Sequence, residues 1–218
     1  MDLQPTTLTG VRRWPGLADY QTVFDAMKAY TETRHPDELD TLWLVEHAPV
    51  YTLGQAGKVE HVLNAGSITV VQSDRGGQVT YHGPGQVVVY VMANLKRTGL
   101  TIRAFVNALE EALIDTLAQH HLPGAQRQAG APGVYLSQSD GQLAKIAALG
   151  IKVRKGYTYH GVALNVDMDL NPFLGINPCG YQGLETVNMA SQGVHVPWET
   201  VALTLAGTII RHCRLRVE

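Results

Sequence analysis

The sequence predicts a mixed α/β (α+β) fold: a mixed β-sheet with helices packed on one side. Two observations carry that expectation. A few segments repeat apolar residues at spacings of three and four, which gives an amphipathic helix one buried face. Between them lie many short β-branched runs bounded by glycine, proline and asparagine, which read as strands. Of 218 residues, 45% are hydrophobic and only 17% are charged, so the chain can fill a core and is not of disordered composition.

The elements follow in order. A short strand is expected around Leu8–Trp14. Leu17, Tyr20, Phe24, Met27 and Tyr30 then form one helical face, which Arg34-His35-Pro36 ends. Thr41–Glu46 is a strand, Pro49 interrupts it, and Val50–Leu53 resumes it. Residues 54–66 read as loop. Ile68–Val71 and Val87–Val91 are strands on either side of a glycine-rich stretch. A second helix spans 101–120, with Phe105, Leu109, Leu113 and Leu117 stacked at i+4 and Thr101 as its cap. Extended pieces follow at Gly133–Ser137, Leu143–Val153 and Tyr157–Val166, with a bend expected at Gly150. Residues 171–185 are loop-like, and a last helix covers about Glu199–Cys213. There is no internal repeat, so one domain over 1–218 is expected, with a core of about 8–210.

The formal net charge is −2, which offers no bulk attraction for nucleic acid or an anionic membrane. Two cysteines are too few for a disulfide framework. The start of the chain lacks a basic region followed by an apolar one, and no apolar run approaches the roughly 20 residues of a membrane span. A reduced, intracellular, cytoplasmic protein without membrane contact is the expectation.

The stretch Asp74–Gln86 holds four glycines and a proline within thirteen residues, together with Arg75, Tyr81 and His82. Glycine permits tight turns and close approach of backbone to ligand, and sheet at both ends makes such a loop rigid without burying it. Arg75, Tyr81 and His82 exceed what turn chemistry alone requires. Cys179 stands between Pro178 and Gly180 in a loop, where a packing cysteine is out of place; it is a candidate nucleophile, with metal ligation as the alternative. Cys213, among Ile209, Ile210 and Leu215, reads as inert core. A nucleophilic thiol needs a base or positive neighbour, and the chain offers His82, His160 and Lys145. Lys145 is the only charge in Leu143–Gly150; it either points outward from an edge strand or lies inside, desolvated and usable as a base. His160 is either a satisfied core histidine or a site residue. No HExxH, CxxC or finger spacing is present, so no metal site is expected. No two carboxylates are marked as a hydrolytic pair. Neither GxGxxG near the start nor GxxxxGK[ST] is present, so no nucleotide loop is signalled.

Five segments together carry a resemblance: Glu46–Gly54, Arg75–Gln86, Lys145–Gly150, His160–Asn165 and Asn177–Gly180. In order and spacing, from about residue 8 to residue 210, they resemble the octanoyltransferases, the lipoyl(octanoyl) transferases of lipoate biosynthesis. The resemblance implies a biotin/lipoate protein ligase-like fold and a catalytic pair, Cys179 and Lys145. It also implies substrate contacts from Arg75, Gly76, Gly77, Gln78, Val79, Thr80, Tyr81 and His82. Ala148, Leu149 and Gly150, with His160, Gly161, Val162 and Ala163, complete that set. The implied reaction passes an octanoyl group from octanoyl-acyl carrier protein, through a cysteine thioester, to a lysine of a lipoyl domain. Acceptors would be the 2-oxoacid dehydrogenases and the glycine cleavage H protein. No cofactor is implied, because the donor thioester is already activated. Where some relatives carry Cys-Ser, this chain has Ala147-Ala148, so no serine hydroxyl is available there. Other readings remain open: an ATP-dependent lipoate or biotin ligase, which needs no nucleophilic cysteine; a non-catalytic module that binds carrier protein or lipoyl domains; and an amidotransferase that moves acyl groups between lipoyl domains. Arg12, Arg13, Lys96, Arg97, Lys152, Arg154 and Lys155 are candidates for docking acidic partner domains.

Overall fold

The computed structural model describes residues 3–180 and 183–217, and at Cys179 the backbone alone. In chain order the elements are β1 (Gln4–Pro5), β2 (Val11–Ala18), α1 (Tyr20–Thr33), β3 (Thr41–His47), β4 (Val50–Leu53), β5 (Thr69–Gln72), β6 (Val79–His82) and β7 (Gln86–Met92). Then come α2 (Leu95–Thr98), α3 (Ile102–Gln119), β8 (Gln126–Gln128), β9 (Ala131–Ser137), β10 (Leu143–Arg154), β11 (Tyr157–Asn165) and α4 (Trp198–His212). Short 3-10 turns cover Val59–His61, Asn171–Gly175, Pro178–Gly180 and Ala190–Gln192.

The strands form two sheets. The large one has eight strands in the order β1-β2-β3-β7-β11-β10-β9-β8, antiparallel except for the parallel pair β2 and β3. The small one has three, in the order β5-β4-β6. The alternation of β7 explains how the layers form. Val87, Val89 and Val91 pack with Phe105, Leu109 and Leu113 of α3 and Val201, Leu205 and Ile209 of α4. Val88, Tyr90 and Met92 project to the opposite face and pack with Val23, Phe24 and Met27 of α1. A strand buried on both faces reads as a continuous apolar run, and β7 is buried throughout.

Four expectations need correction. Helices cover both faces of the large sheet, because α1 occupies the face opposite α3 and α4. Helix α1 begins at Tyr20, not Leu17: Asp19 Oδ1 accepts from Thr22 N at 2.8 Å as its cap, and Leu17 lies in β2, 54% exposed. The glycine-rich stretch is not one loop between two strands of one sheet. Its middle, Val79–His82, is β6, and its flanking strands β5 and β7 belong to different sheets. Finally, β10 is unbroken at Gly150; its irregularity falls between Lys145 and Ala147, where the register with β9 shifts.

The two faces of the sheet are separate cores. Met27→Ala, below α1, and Leu109→Ala, below α3, should each lower unfolding free energy by about 2–5 kcal/mol, since both side chains are fully buried. Their costs should add in the double variant, because they share no cluster. Urea denaturation of the three proteins measures this.

Candidate active site

A narrow cleft opens between the two sheets. Its floor is the large sheet, where Ala148 pairs with Ala163 and Gly150 with Gly161. These small residues leave room that larger side chains would fill. Its other walls are Val79, Thr80 and His82 of β6, Gly77 and Gln78 of the preceding turn, Val88 and Tyr90 of β7, and Tyr20 of α1.

Close backbone approach holds the walls together. Gly76 N donates to Ile151 O at 3.1 Å, and a side chain at Gly150 would meet Gly76 O at 2.6 Å. Arg75 is buried below this turn. Its Nη2 donates to Thr52 O (2.6 Å) and Gln78 O (2.8 Å), its Nε to Thr52 Oγ1 (3.2 Å) and its Nη1 to Gly76 O (2.9 Å). The guanidinium therefore ties the turn to β4, and it is also in the cleft lining.

Three imidazoles surround the cleft. His47 has Nδ1 3.1 Å from Ala18 O and Nε2 2.7 Å from Tyr90 Oη, so Nδ1 carries the proton and Nε2 accepts from the tyrosine. His82 Nδ1 donates to Gln86 Oε1 at 2.7 Å, and its ring stacks on Tyr20 at 6.0 Å. His160 Nε2 donates to Asp74 Oδ1 at 2.8 Å, and Tyr159 Oη donates to Asp74 Oδ2 at 2.5 Å. His160 has φ +60° within a strand, a conformation costing about 1–3 kcal/mol; the Asp74 bond and a 5.3 Å stack on Phe24 hold it there. Burial lowers the pKa of His47 to about 4 and of His82 to about 3. Burial also lowers that of His160, against the pull of Asp74. The imidazoles around the slot are thus neutral at pH 7, which suits an apolar guest.

Lys145 lies inside, 4% exposed, on an interior strand; the outward reading is excluded. Its Nζ donates to Pro132 O at 3.1 Å and sits 5.1 Å from the Tyr135 ring centre. Its backbone is held on both sides, by Tyr135 of β9 and by the 185–187 segment, with Lys145 N on Glu185 O (2.8 Å) and Val187 N on Lys145 O (3.0 Å). A smaller, tighter cavity is lined by Lys145, Pro178, Thr80, Gln86, Ala147, Ala148, Asn165, Phe173 and Thr186. Thr80 and Ala148 line both this cavity and the cleft. The backbone of Cys179 lies in the Pro178–Gly180 turn beside it, anchored by Asn177 N on His61 O (2.8 Å); the Cys179 side chain lies outside the described residues. Cys213 is fully buried, and desolvation pushes its pKa up to about 12, as an inert core thiol requires.

The expected substrate-contacting residues Arg75, Gly77, Gln78, Val79, Thr80, His82, Ala148, Leu149, Gly150, His160, Gly161, Val162 and Ala163 all line the cleft. Gly76 supports it from behind through Ile151 and Gly150. Tyr81 is turned away, packed on Tyr51 and Phe173, because successive residues of β6 face opposite sides. Tyr20, Val88 and Tyr90 line the cleft without having been singled out in the sequence, where each reads as core. Among the docking candidates, Arg13 pairs with Glu199, Arg97 with Asp40 and Arg154 with Glu32. Leu95 N bonds Gly156 O, which brings Lys96 and Arg97 to the same end as Arg154 and Lys155. Among the described residues no group of His, Cys, Asp and Glu could hold a metal ion, and no helix is long and apolar enough to cross a membrane.

The domain is thus a mixed sheet and a second small sheet with an apolar slot between them, and its class is that of the lipoyl protein ligase catalytic domains. The profile of the lipoyl protein ligase A/B catalytic domain matches residues 19–208. The fold is that of a bipartite lipoate protein ligase of Thermoplasma acidophilum (TM-score 0.72, 16% identity, covering 94% of this chain and 83% of the other). It is equally that of a lipoate-protein ligase A bound with ATP (TM-score 0.71, 15% identity, 92% and 83%). In sequence the chain is 59% identical over 194 residues to an octanoyltransferase of Bordetella parapertussis, covering 89% of this chain and 88% of that one. It is 53% identical over 209 residues to an octanoyltransferase of Burkholderia pseudomallei, covering 95% and 85%. The chain belongs to the octanoyltransferase family. It is an acyltransferase, and this similarity favours octanoyl transfer over the ATP-dependent ligase reaction.

Gly77 has φ +89°, where a branched residue is strained, and its carbonyl is packed against Gly54. Gly77→Val should cost about 1–3 kcal/mol of stability and lower turnover on the order of a hundredfold by displacing the cleft wall; melting curves beside steady-state rates separate the two.

The histidines also set a pH dependence. His47 and His82 have folded pKa values below the ordinary 6.5, so the unfolded chain takes up protons first as pH falls. Their contribution to stability is complete above pH 6.5 and declines from there down to about pH 3–4. The urea midpoint should therefore fall between pH 7 and pH 5, and His82→Gln should flatten that slope.

Proposed function

We propose that this chain moves an octanoyl group from the thioester of octanoyl-acyl carrier protein to a lysine of a lipoyl domain, through a thioester on Cys179. The acceptors are the lipoyl domains of 2-oxoacid dehydrogenases and the glycine cleavage H protein, in the cytoplasm. The whole chain acts as a single catalytic domain with its core at about 8–210. The observation that carries this reading is one cavity lined by both Lys145 and Pro178, which adjoins an apolar cleft.

Lys145 serves as base: it takes the Cys179 proton, and the sulfur attacks the thioester carbonyl. The tetrahedral intermediate collapses, the carrier thiolate leaves, and Lys145 returns the proton to it. The acceptor lysine, entering as neutral amine, attacks the acyl-enzyme. Its excess proton passes to Lys145 as the amide forms and the Cys179 thiolate departs. One thioester is exchanged for one amide, so no ATP is consumed. The octanoyl chain occupies the slot floored by Ala148, Gly150, Gly161 and Ala163, where each buried methylene contributes roughly 0.8 kcal/mol.

Intact mass after incubation with octanoyl carrier protein, without ATP, tests the proposal. The wild type and Cys213→Ala should each gain one octanoyl group, and Cys179→Ala none. An octanoylated Cys179→Ala protein, or a wild type that reacts only with ATP, overturns it.

A further inference from the structure

Helix α3 turns one charged side chain into the core. Glu110 is 5% exposed among Leu109, Ala112 and Leu113. Were packing its only task, an apolar residue would serve better, because a buried carboxylate loses its hydration. Its Oε1 accepts from Gly133 N at 2.9 Å, and its Oε2 lies 3.4 Å from Arg127 Nε. The carbonyl of that same peptide group, Pro132 O, accepts from Lys145 Nζ at 3.1 Å. One peptide thus joins two buried ionisable side chains from opposite ends.

The backbone is shaped for this. Gly133 has φ +142°, a conformation open to glycine, and a Cβ there would lie 2.5 Å from Lys145 Cε and 2.9 Å from its Nζ. Glycine at 133 therefore provides both the peptide tilt and the space through which the lysine passes. Among the described residues, a carboxylate on α3 and a lysine on β10 make no direct ion pair; the strand between them carries the interaction.

We propose that Glu110 is a positioning residue for Lys145, acting through the Pro132–Gly133 peptide. The proposal rests on the base role given to Lys145 above. A carboxylate drawing on the N–H polarises the peptide and strengthens its carbonyl as an acceptor. That fixes where Nζ points in the cavity it shares with Pro178. The carboxylate charge also favours the ammonium form of the lysine. Among the described residues, the other titratable groups around Lys145 are Tyr135 on β9, Glu185 beside its backbone with an exposed side chain, and Arg127 on β8 behind Glu110.

The test combines NMR titration of lysine Cε in labelled full-length enzyme with single-turnover acylation against pH. The Lys145 resonance is assigned by its loss in Lys145→Arg. Glu110→Gln keeps an acceptor for Gly133 N–H and removes the charge. Its Lys145 should titrate at lower pH than in the wild type, its rate profile should move the same way, and its plateau should stay within about threefold. Glu110→Ala should lower the plateau roughly tenfold or more, and should add nothing on a Lys145→Ala background. Arg127→Gln, altered at the half-exposed end, leaves Glu110 less compensated and should move the Lys145 titration to higher pH. Titration curves that superimpose on wild type in Glu110→Gln and Arg127→Gln would show a carboxylate that only supports the fold and overturn the proposal. The titration does not depend on turnover. A Lys145→Ala enzyme at wild-type rate would instead remove the base role while the titration shifts stand.

Discussion

The buried guanidinium of Arg75 is the interaction on which the site depends. It donates to the carbonyls of Thr52, Gly76 and Gln78 and to the Thr52 hydroxyl, so the turn before β6 and the strand β4 become one body. Planar, permanently charged and fork-shaped, it meets several acceptors at once, which a lysine ammonium on a flexible stem would not do. The small sheet then reaches the large one through backbone, Gly76 on Ile151 and Gly150, and through side chains, His82 on Gln86 and Asp74 on Tyr159 and His160. The cleft is the space that remains between two sheets joined in this way.

Polarity is distributed to match. Around the slot the imidazoles are buried and neutral, each held by fixed partners: His47 by Ala18 O and Tyr90, His82 by Gln86, and His160 by Asp74. They are structural donors that leave an apolar passage. Lys145 lies in a separate small cavity, reached past Thr80 and Ala148. Its Nζ is held by the Pro132 carbonyl beside the Tyr135 ring, away from the slot that Ala148, Gly150, Gly161 and Ala163 floor. The solved lipoate ligases share this fold at 15–16% identity, so the fold alone does not set the reaction. What sets the octanoyltransferases apart is their particular residues.

The sequence by itself determined the local structure and the candidate chemistry. Period-3.6 stripes marked α3 and α4 to within one or two residues, and Val87–Val91 read as a strand, because periodicity and β-branching act over short range. The glycine density at 76–85 and the Pro-Cys-Gly turn were visible because few residues tolerate such backbones. Even the small pairs Ala148/Ala163 and Gly150/Gly161 were within its marked segments, though not their role as a floor.

Only the tertiary structure decided the rest. That α1 covers the second face follows from which side of β7 faces it, and a fully apolar strand does not announce its two sides. That Lys145 points inward follows from β9 and the 185–187 segment enclosing β10. Tyr20 and Tyr90 are core by pattern and cleft by position. Glu110 could not be read at all, since on a helix surface a glutamate is ordinary. Its partner is a peptide group 23 residues away, and hydrogen bonds to backbone leave no mark in side-chain pattern.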